Sequence, residues 1–137
     1  MKRTYIDANI LIAAFRGDDS ASRRAMAILD DPDRKLIVSD YLRLEVMPKP
    51  YFQKRQEEVE FMETMFVSAA ENVPTSPKLT NQAIDLAMRY DLTPIDALHV
   101  SAALMAEADE LVTMEKANKP MCQVREVAVI SLHSAEN

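Results

Sequence analysis

A chain of 137 residues, 48% of them hydrophobic, is long enough for one core, so a single domain over residues 1–137 is expected. Its formal charge of -6, from 22 acidic against 16 basic side chains, has the wrong sign for passive adhesion to nucleic acid. It does not exclude a nucleic-acid enzyme whose carboxylates hold divalent cations and so invert the local field. The single cysteine, Cys122, allows no internal disulfide, and no charged-then-apolar leader precedes the core. No apolar run approaches the roughly 18 to 20 residues of a membrane span, so a soluble protein of the reducing cytoplasm is expected.

In chain order, KRTYIDA alternates weakly and ends in polar residues, the mark of a short opening strand. NILIAAF then places Ile10, Ala13 and Ala14 on one helical face, with Asn9 as the expected N-cap. Residues 20–31 read as a second helix, and residues 34–40 as a strand around Leu36, Ile37 and Val38. A short helix over 40–47 is expected to stop near Pro48 and Pro50. A longer charged helix over 52–69 should turn Val59, Met62, Phe66 and Val67 inward, with Lys54, Arg55, Glu57, Glu58 and Glu60 toward solvent. ENVPTSP is a strand or extended connection before a helix at about 77–90. Thr93 caps the next helix and Pro94 suits its first turn. Residues 108–113 and 124–132 supply the remaining strand candidates.

About five strands separated by helices argue for a mainly parallel sheet covered on both faces, a three-layer α/β/α sandwich. The one glycine, Gly17, rules out a glycine-rich phosphate loop and a dinucleotide fingerprint. Most of the nine methionines read as core filler, among them Met26, Met62, Met65, Met88 and Met105.

The chemistry concentrates in acids. Asp7 falls at the carboxyl end of the first strand, where parallel sheets open their crevices. Glu45 follows the second strand on a helix, beside apolar positions. Asp96 stands three residues after Thr93, so reciprocal capping of the helix explains it as readily as a site does. Glu115 follows the strand LVT, with Lys116 and Lys119 available as surface partners. Gathered in one crevice, such carboxylates repel by up to about 4 kcal/mol for a pair 4 Å apart at an effective dielectric of 20. Mg²⁺ or Mn²⁺ relieves that cost, because both favour carboxylate and water oxygens and meet phosphate readily.

D7-A-N9 after the first strand, S39 and E45 after the second, D96-A-L-H on a helix and T113-M-E115 after a later strand together resemble a PIN domain. The likeness is strongest to the small ribonuclease toxins of toxin–antitoxin systems and runs from Tyr5 to about Leu132. It implies a parallel α/β/α domain that cleaves RNA with Mg²⁺ or Mn²⁺. Asp7, Glu45 and Asp96 match the principal metal-site acids. Glu115 stands where an aspartate is usual, and its extra methylene is expected to move the carboxylate outward or make it a water-mediated ligand. Asn9, Ser39 and Thr113 match supporting polar positions. The resemblance also implies an RNA substrate and points to a homodimer and a small antitoxin protein as partners. The alternative is a catalytically inactive protein-interaction domain on the same scaffold.

Other residues carry less. His99, three positions after Asp96, reads as structural or surface-exposed ahead of catalytic, and with His133 makes no zinc pattern. Cys122 lacks a patterned partner. Arg16, Arg23, Arg24, Lys116, Lys119 and Arg125 either border an RNA path or solubilise the surface. Tyr5 and Phe15 are expected to pack, and the remaining tyrosines form no base-stacking stripe.

Overall fold

Alternate residues of a buried strand face opposite sides, and here that period of two divides the core. In the computed structural model, which describes residues 1–17 and 19–133, Tyr5, Ile37 and Leu111 join one buried cluster. Their neighbours Ile6, Val38 and Val112 join the other. The chain runs β1 (Lys2–Ile6), α1 (Ala8–Arg16), α2 (Asp19–Leu29), β2 (Arg34–Ser39), α3 (Asp40–Val46), α4 (Pro48–Phe52) and α5 (Gln56–Ser68). It continues through β3 (Glu71–Val73), α6 (Pro77–Tyr90), α7 (Pro94–Met105), β4 (Glu110–Thr113), a 3₁₀ turn (Pro120–Gln123) and β5 (Ala128–Ser131).

The five strands lie in the order β3-β2-β1-β4-β5 and every neighbouring pair is parallel. The expected α/β/α sandwich is therefore what forms. One layer draws its apolar side chains from α6, α7 and the 3₁₀ turn, the other from α1, α2, α3 and α5. From β1 the chain winds outward through β2 and β3, then crosses back to add β4 on the other side of β1. The order thus reverses between β1 and β4, and parallel sheets open a crevice at the carboxyl ends of such a pair. No helix among the described residues is long and apolar enough to cross a membrane. The single-domain expectation includes residues 18 and 134–137, which lie outside the described residues.

Local signals explain most boundaries. Ser76 and Thr93 cap α6 and α7 through their hydroxyls, each followed by proline in the first turn. Asp91 ends α6 in the left-handed conformation, at φ 56°. α7 is buried on nearly every side, at Ala97, His99, Val100, Ser101, Ala102 and Ala103, because it packs against α6, the sheet and the 3₁₀ turn at once. Gly17 is held by a close approach: a Cβ there would lie 2.4 Å from the carbonyl oxygen of Ala13.

Several expectations fail for identifiable reasons. Asn9 is not the cap of α1. Asp7 is, its Oδ1 accepting from the amide of Ala8, and Asn9 lies inside the helix. Pro48 does not simply stop the chain but opens α4, since proline suits a first turn as well as a terminus. In α5, Met62 and Phe66 face the core, whereas Val67 is 86% exposed. Glu58, expected in water, is buried because Arg16 and Arg55 meet its carboxylate at 2.6 and 3.2 Å. Met62 fills core, but Met88 is exposed.

Candidate functional site

Sheet register builds the site before any side chain does. Ile6 pairs with Val112, and the Asp7 amide donates to the Val112 carbonyl at 3.0 Å, so Asp7 emerges beside Thr113. Ser39 ends β2 on one side and Ser131 pairs with Thr113 on the other, giving the carboxyl edge a polar rim. Asp7 is 5% exposed yet well supported. Its Oδ1 accepts from the Ala8 amide at 2.8 Å and its Oδ2 from the Thr113 hydroxyl at 2.7 Å. A carboxylate oxygen accepts along two directions, so each oxygen keeps one for another partner.

Thr113 and Asn9 form the bracket around that carboxylate. Besides donating to Asp7, the fully buried Thr113 hydroxyl oxygen accepts from Asn9 Nδ2 at 3.3 Å and from the Glu115 amide at 3.1 Å. Asn9 Oδ1 in turn accepts from the Met114 amide at 2.9 Å. One hydroxyl therefore ties the end of β1, the first turn of α1 and the loop after β4 together. The Glu115 carbonyl accepts from Ser131, fixing that loop from its far side.

Glu45 arrives from α3. Ser39 caps this helix, its Oγ accepting from the Leu42 amide at 3.0 Å, and Glu45 projects back from the helix toward α7. Its Oε1 lies 2.7 Å from Nε2 of His99. His99 is completely buried. Its Nδ1 lies 2.7 Å from the Tyr5 hydroxyl, which is itself 2.6 Å from Ser39 Oγ. Burial pushes the Tyr5 hydroxyl far above its ordinary pKa, so this phenol stays protonated. Among the described residues, Asp7, Glu45 and His99 bring ligand atoms within 4.8 Å of one another, forming a potential metal-ligating triad.

Asp96 and Glu115 stand outside that close group but within its field. Asp96 is half-buried in the first turn of α7, where its amide donates to the Thr93 hydroxyl at 3.3 Å. Burial raises its pKa, and the charges of Asp7 and Glu115 raise it further, against smaller lowering contributions from Thr93 and His99. The same acids reach Cys122. Burial, then Glu115, Asp7 and Asp96, hold its sulfur in the thiol form, which removes it as a nucleophile at neutral pH. A hard divalent cation nearby would relieve the penalty on Asp96.

Of the four acids read from the sequence, the structure brings Asp7 and Glu45 within 4.8 Å of His99, a residue the sequence reading set aside as structural or surface-exposed. The signal was present in the D96-A-L-H99 spacing, which puts the ring one turn beyond Asp96. What it lacked was Glu45, 54 positions away, at the other end of the imidazole. Tyr5 was expected to pack, and besides packing its hydroxyl meets Ser39 and His99. Of the cations considered for an RNA path, Arg16 is committed to Glu58, and Arg24 to Ser20 and the Leu132 carbonyl. Arg23, Lys116, Lys119 and Arg125 remain exposed.

Known structures share this architecture. A chain of the VapBC2 complex of Rickettsia felis, bound to a DNA fragment from its promoter, matches with a TM-score of 0.70 at 15% identity, over 93% of this chain and 96% of that one. A toxin–antitoxin complex from Klebsiella pneumoniae matches at 0.69 and 22%, over 91% and 95%. VapC20 of Mycobacterium tuberculosis, described as a toxin that cleaves the sarcin–ricin loop, matches at 0.61 and 13%, over 90% and 98%. At these identities the likeness shows the fold. No curated protein matches the chain. The PIN domain family model matches residues 4–119, and with its five-stranded parallel sheet and its clustered Asp, Glu and His consistent with a metal-dependent nuclease site, the chain belongs to the PIN domain family.

Proposed function

We propose that this protein is a metal-dependent endoribonuclease that hydrolyses RNA phosphodiester bonds, with Asp7, Glu45, Asp96 and Glu115 as the acids around its metal. The observation that carries the reading is the gathering of acids at the switch point, with Asp7 buried there and Glu45 beside it. Asp7 is buried and pinned on both oxygens, and Asp96 is driven toward its neutral form by burial, Asp7 and Glu115. Capping explains Asp7 in part, but the penalty on an ionised Asp96 is one that a bound cation would offset.

The chain's own residues have distinct tasks. Asp7 and Asp96 are the leading direct ligands, and Glu45 holds the metal or a water on it. Glu115, on the loop after β4, completes or orients a second position. Thr113 and Asn9 fix the Asp7 carboxylate in one orientation. A bound Mg²⁺ or Mn²⁺ supplies Lewis acidity, aligning the phosphate, lowering the pKa of the attacking water and stabilising the leaving oxygen. That cation also reverses the sign of a crevice that would otherwise repel RNA.

Kinship with chains of toxin–antitoxin complexes supports the toxin of such a pair, with a small antitoxin protein as partner and a homodimer as its assembly. Leu44, Tyr51 and Phe52, exposed by 67, 68 and 86%, give α3 and α4 an apolar surface that favours a protein partner. A cytoplasmic location fits the single cysteine. The decisive test is cleavage of a mixed RNA pool by the parent and by Asp7→Asn, with EDTA and Mn²⁺ controls. Products that require the parent and return with Mn²⁺ are expected. Equal cleavage by both proteins, or cleavage indifferent to EDTA, would sink the assignment.

A further inference from the structure

Proximity alone would admit His99 as a metal ligand. We infer instead that His99 is a positioning residue, which donates a hydrogen bond from Nε2 to Glu45 and is locked in that role by a buried relay through Ser39 and Tyr5. Its consequence for metal binding rests on the site proposed above, but the direction of the hydrogen bonds does not.

The direction follows from what each group can offer. An ionised carboxylate only accepts, so the 2.7 Å contact to Glu45 requires the proton on Nε2. On a neutral ring Nδ1 is then an acceptor, and the hydroxyl 2.7 Å from it, that of Tyr5, is its donor. Having given its proton to His99, the Tyr5 oxygen accepts from Ser39 at 2.6 Å. The Ser39 oxygen accepts from the Leu42 amide at 3.0 Å. Every donor in the series Leu42, Ser39, Tyr5, His99, Glu45 meets one acceptor, and on a neutral ring reversing it would aim a nitrogen lone pair at a carboxylate.

The path has a notable geometry. It begins at the amino end of α3, passes through β1 and α7, and returns to α3 at Glu45, so three elements are clamped around one carboxylate. Both ring nitrogens are engaged, leaving no lone pair for a metal. Asp7 Oδ1, at 3.9 Å from Nε2, is too distant to compete as acceptor. Tyr5, Ser39 and His99 are fully buried, so water does not loosen the series. Partners of this kind orient metal-binding carboxylates, and their loss typically weakens metal affinity about 10- to 100-fold.

The first test is ¹⁵N NMR of the histidine rings in the metal-free parent, repeated with saturating Mg²⁺. His99 is expected as the Nε2–H tautomer in both states, and an Nδ1–H tautomer, or one that appears with Mg²⁺, overturns the assignment. The second is Mn²⁺ affinity of Tyr5→Phe, His99→Gln and His99→Ala. Tyr5→Phe, which preserves the ring and its packing, should bind about 10-fold more weakly, with a second His99 tautomer visible. His99→Gln, whose amide can still donate toward Glu45, should recover most of the affinity that His99→Ala loses. Equal loss in the Gln and Ala variants, with Tyr5→Phe unchanged, identifies a ligand and overturns the inference. A parent that binds no Mn²⁺ sinks the metal site, and the tautomer then decides the His99 assignment alone.

Discussion

Glu110, at the amino end of β4, and Asp96, beside the carboxyl ends of β1 and β4, are carboxylates on the same domain with opposite surroundings. Glu110 is buried. Burial alone would raise its pKa, but hydrogen bonds from Arg34 at 2.8 Å and Thr4 at 2.7 Å outweigh it and hold the group below the usual range. Around it Arg34 also meets Asp31, and Arg3 meets Glu71 at 2.5 Å and the Ala106 carbonyl. At the other end no arginine or lysine among the described residues pairs with Asp96. Burial pushes its carboxyl upward, and the acids Asp7 and Glu115 add to that, against smaller lowering from Thr93 and His99. Acids that serve the fold are paired with cations of the fold. Asp96 has acids for neighbours where Glu110 has cations.

Perturbing each end should separate these roles. The largest expected effect is at the carboxyl edge: Asp7→Asn should lower metal-dependent RNA cleavage by at least about 100-fold, from the several kcal/mol that a metal contributes. Its circular-dichroism spectrum should be retained, since asparagine caps a helix as well as aspartate does. At the amino edge, Glu110→Gln should cost about 2 kcal/mol of stability in urea melts, the worth of hydrogen bonds to a charged group, with activity per folded molecule unchanged. A loss of activity there without loss of stability would erase the distinction between the two ends. Thr113→Val keeps the shape but removes the hydroxyl shared by Asp7, Asn9 and the Glu115 amide, and should weaken Mn²⁺ binding about 10-fold by calorimetry.

The smallest effect is also the sharpest in sign. For Asp96 the raised pKa means that ionisation is penalised in the folded state. In metal-free protein its contribution to stability should fall as pH rises from the ordinary carboxylate range through its own raised pKa. Glu110 works in reverse: its contribution is complete above the ordinary carboxylate range and is lost as pH falls through its lowered pKa. Asp96→Asn should therefore raise the melting temperature of metal-free protein at neutral pH. The gain should be about 2 °C, small because solvent screens a half-buried group. It should also flatten the pH slope in that window. A lower melting temperature would show that Asp96 is a stabilising cap and not a strained acid.

Much of this layout was legible from residue order, because strand ends, caps and helix periods are local. Thr93, Pro94 and Ser76 act within a few residues of themselves, and a parallel sheet follows from strands that alternate with helices. The exceptions share a cause. Asn9 looked like a cap because it precedes a helical run, yet Thr113 and Met114, more than 100 positions away, claim its amide, and Asp7 takes the cap. Glu58 looked like a surface charge until Arg16 reached it from α1.

The sequence by itself therefore determined the order of elements and set Asp7, Ser39 and Thr113 at strand ends, since period and capping are properties of neighbouring residues. Only the tertiary structure decided which of these side chains meet. Thr113 reaches Asp7 across 106 positions, and Tyr5 reaches His99 across 94, because sheet register and the crossover between β1 and β4 bring them within 3 Å. Hydrogen bonds decay within an ångström or so of their best distance. No local pattern carries that precision, and the roles of Tyr5 and His99 emerge only when the strands are in register.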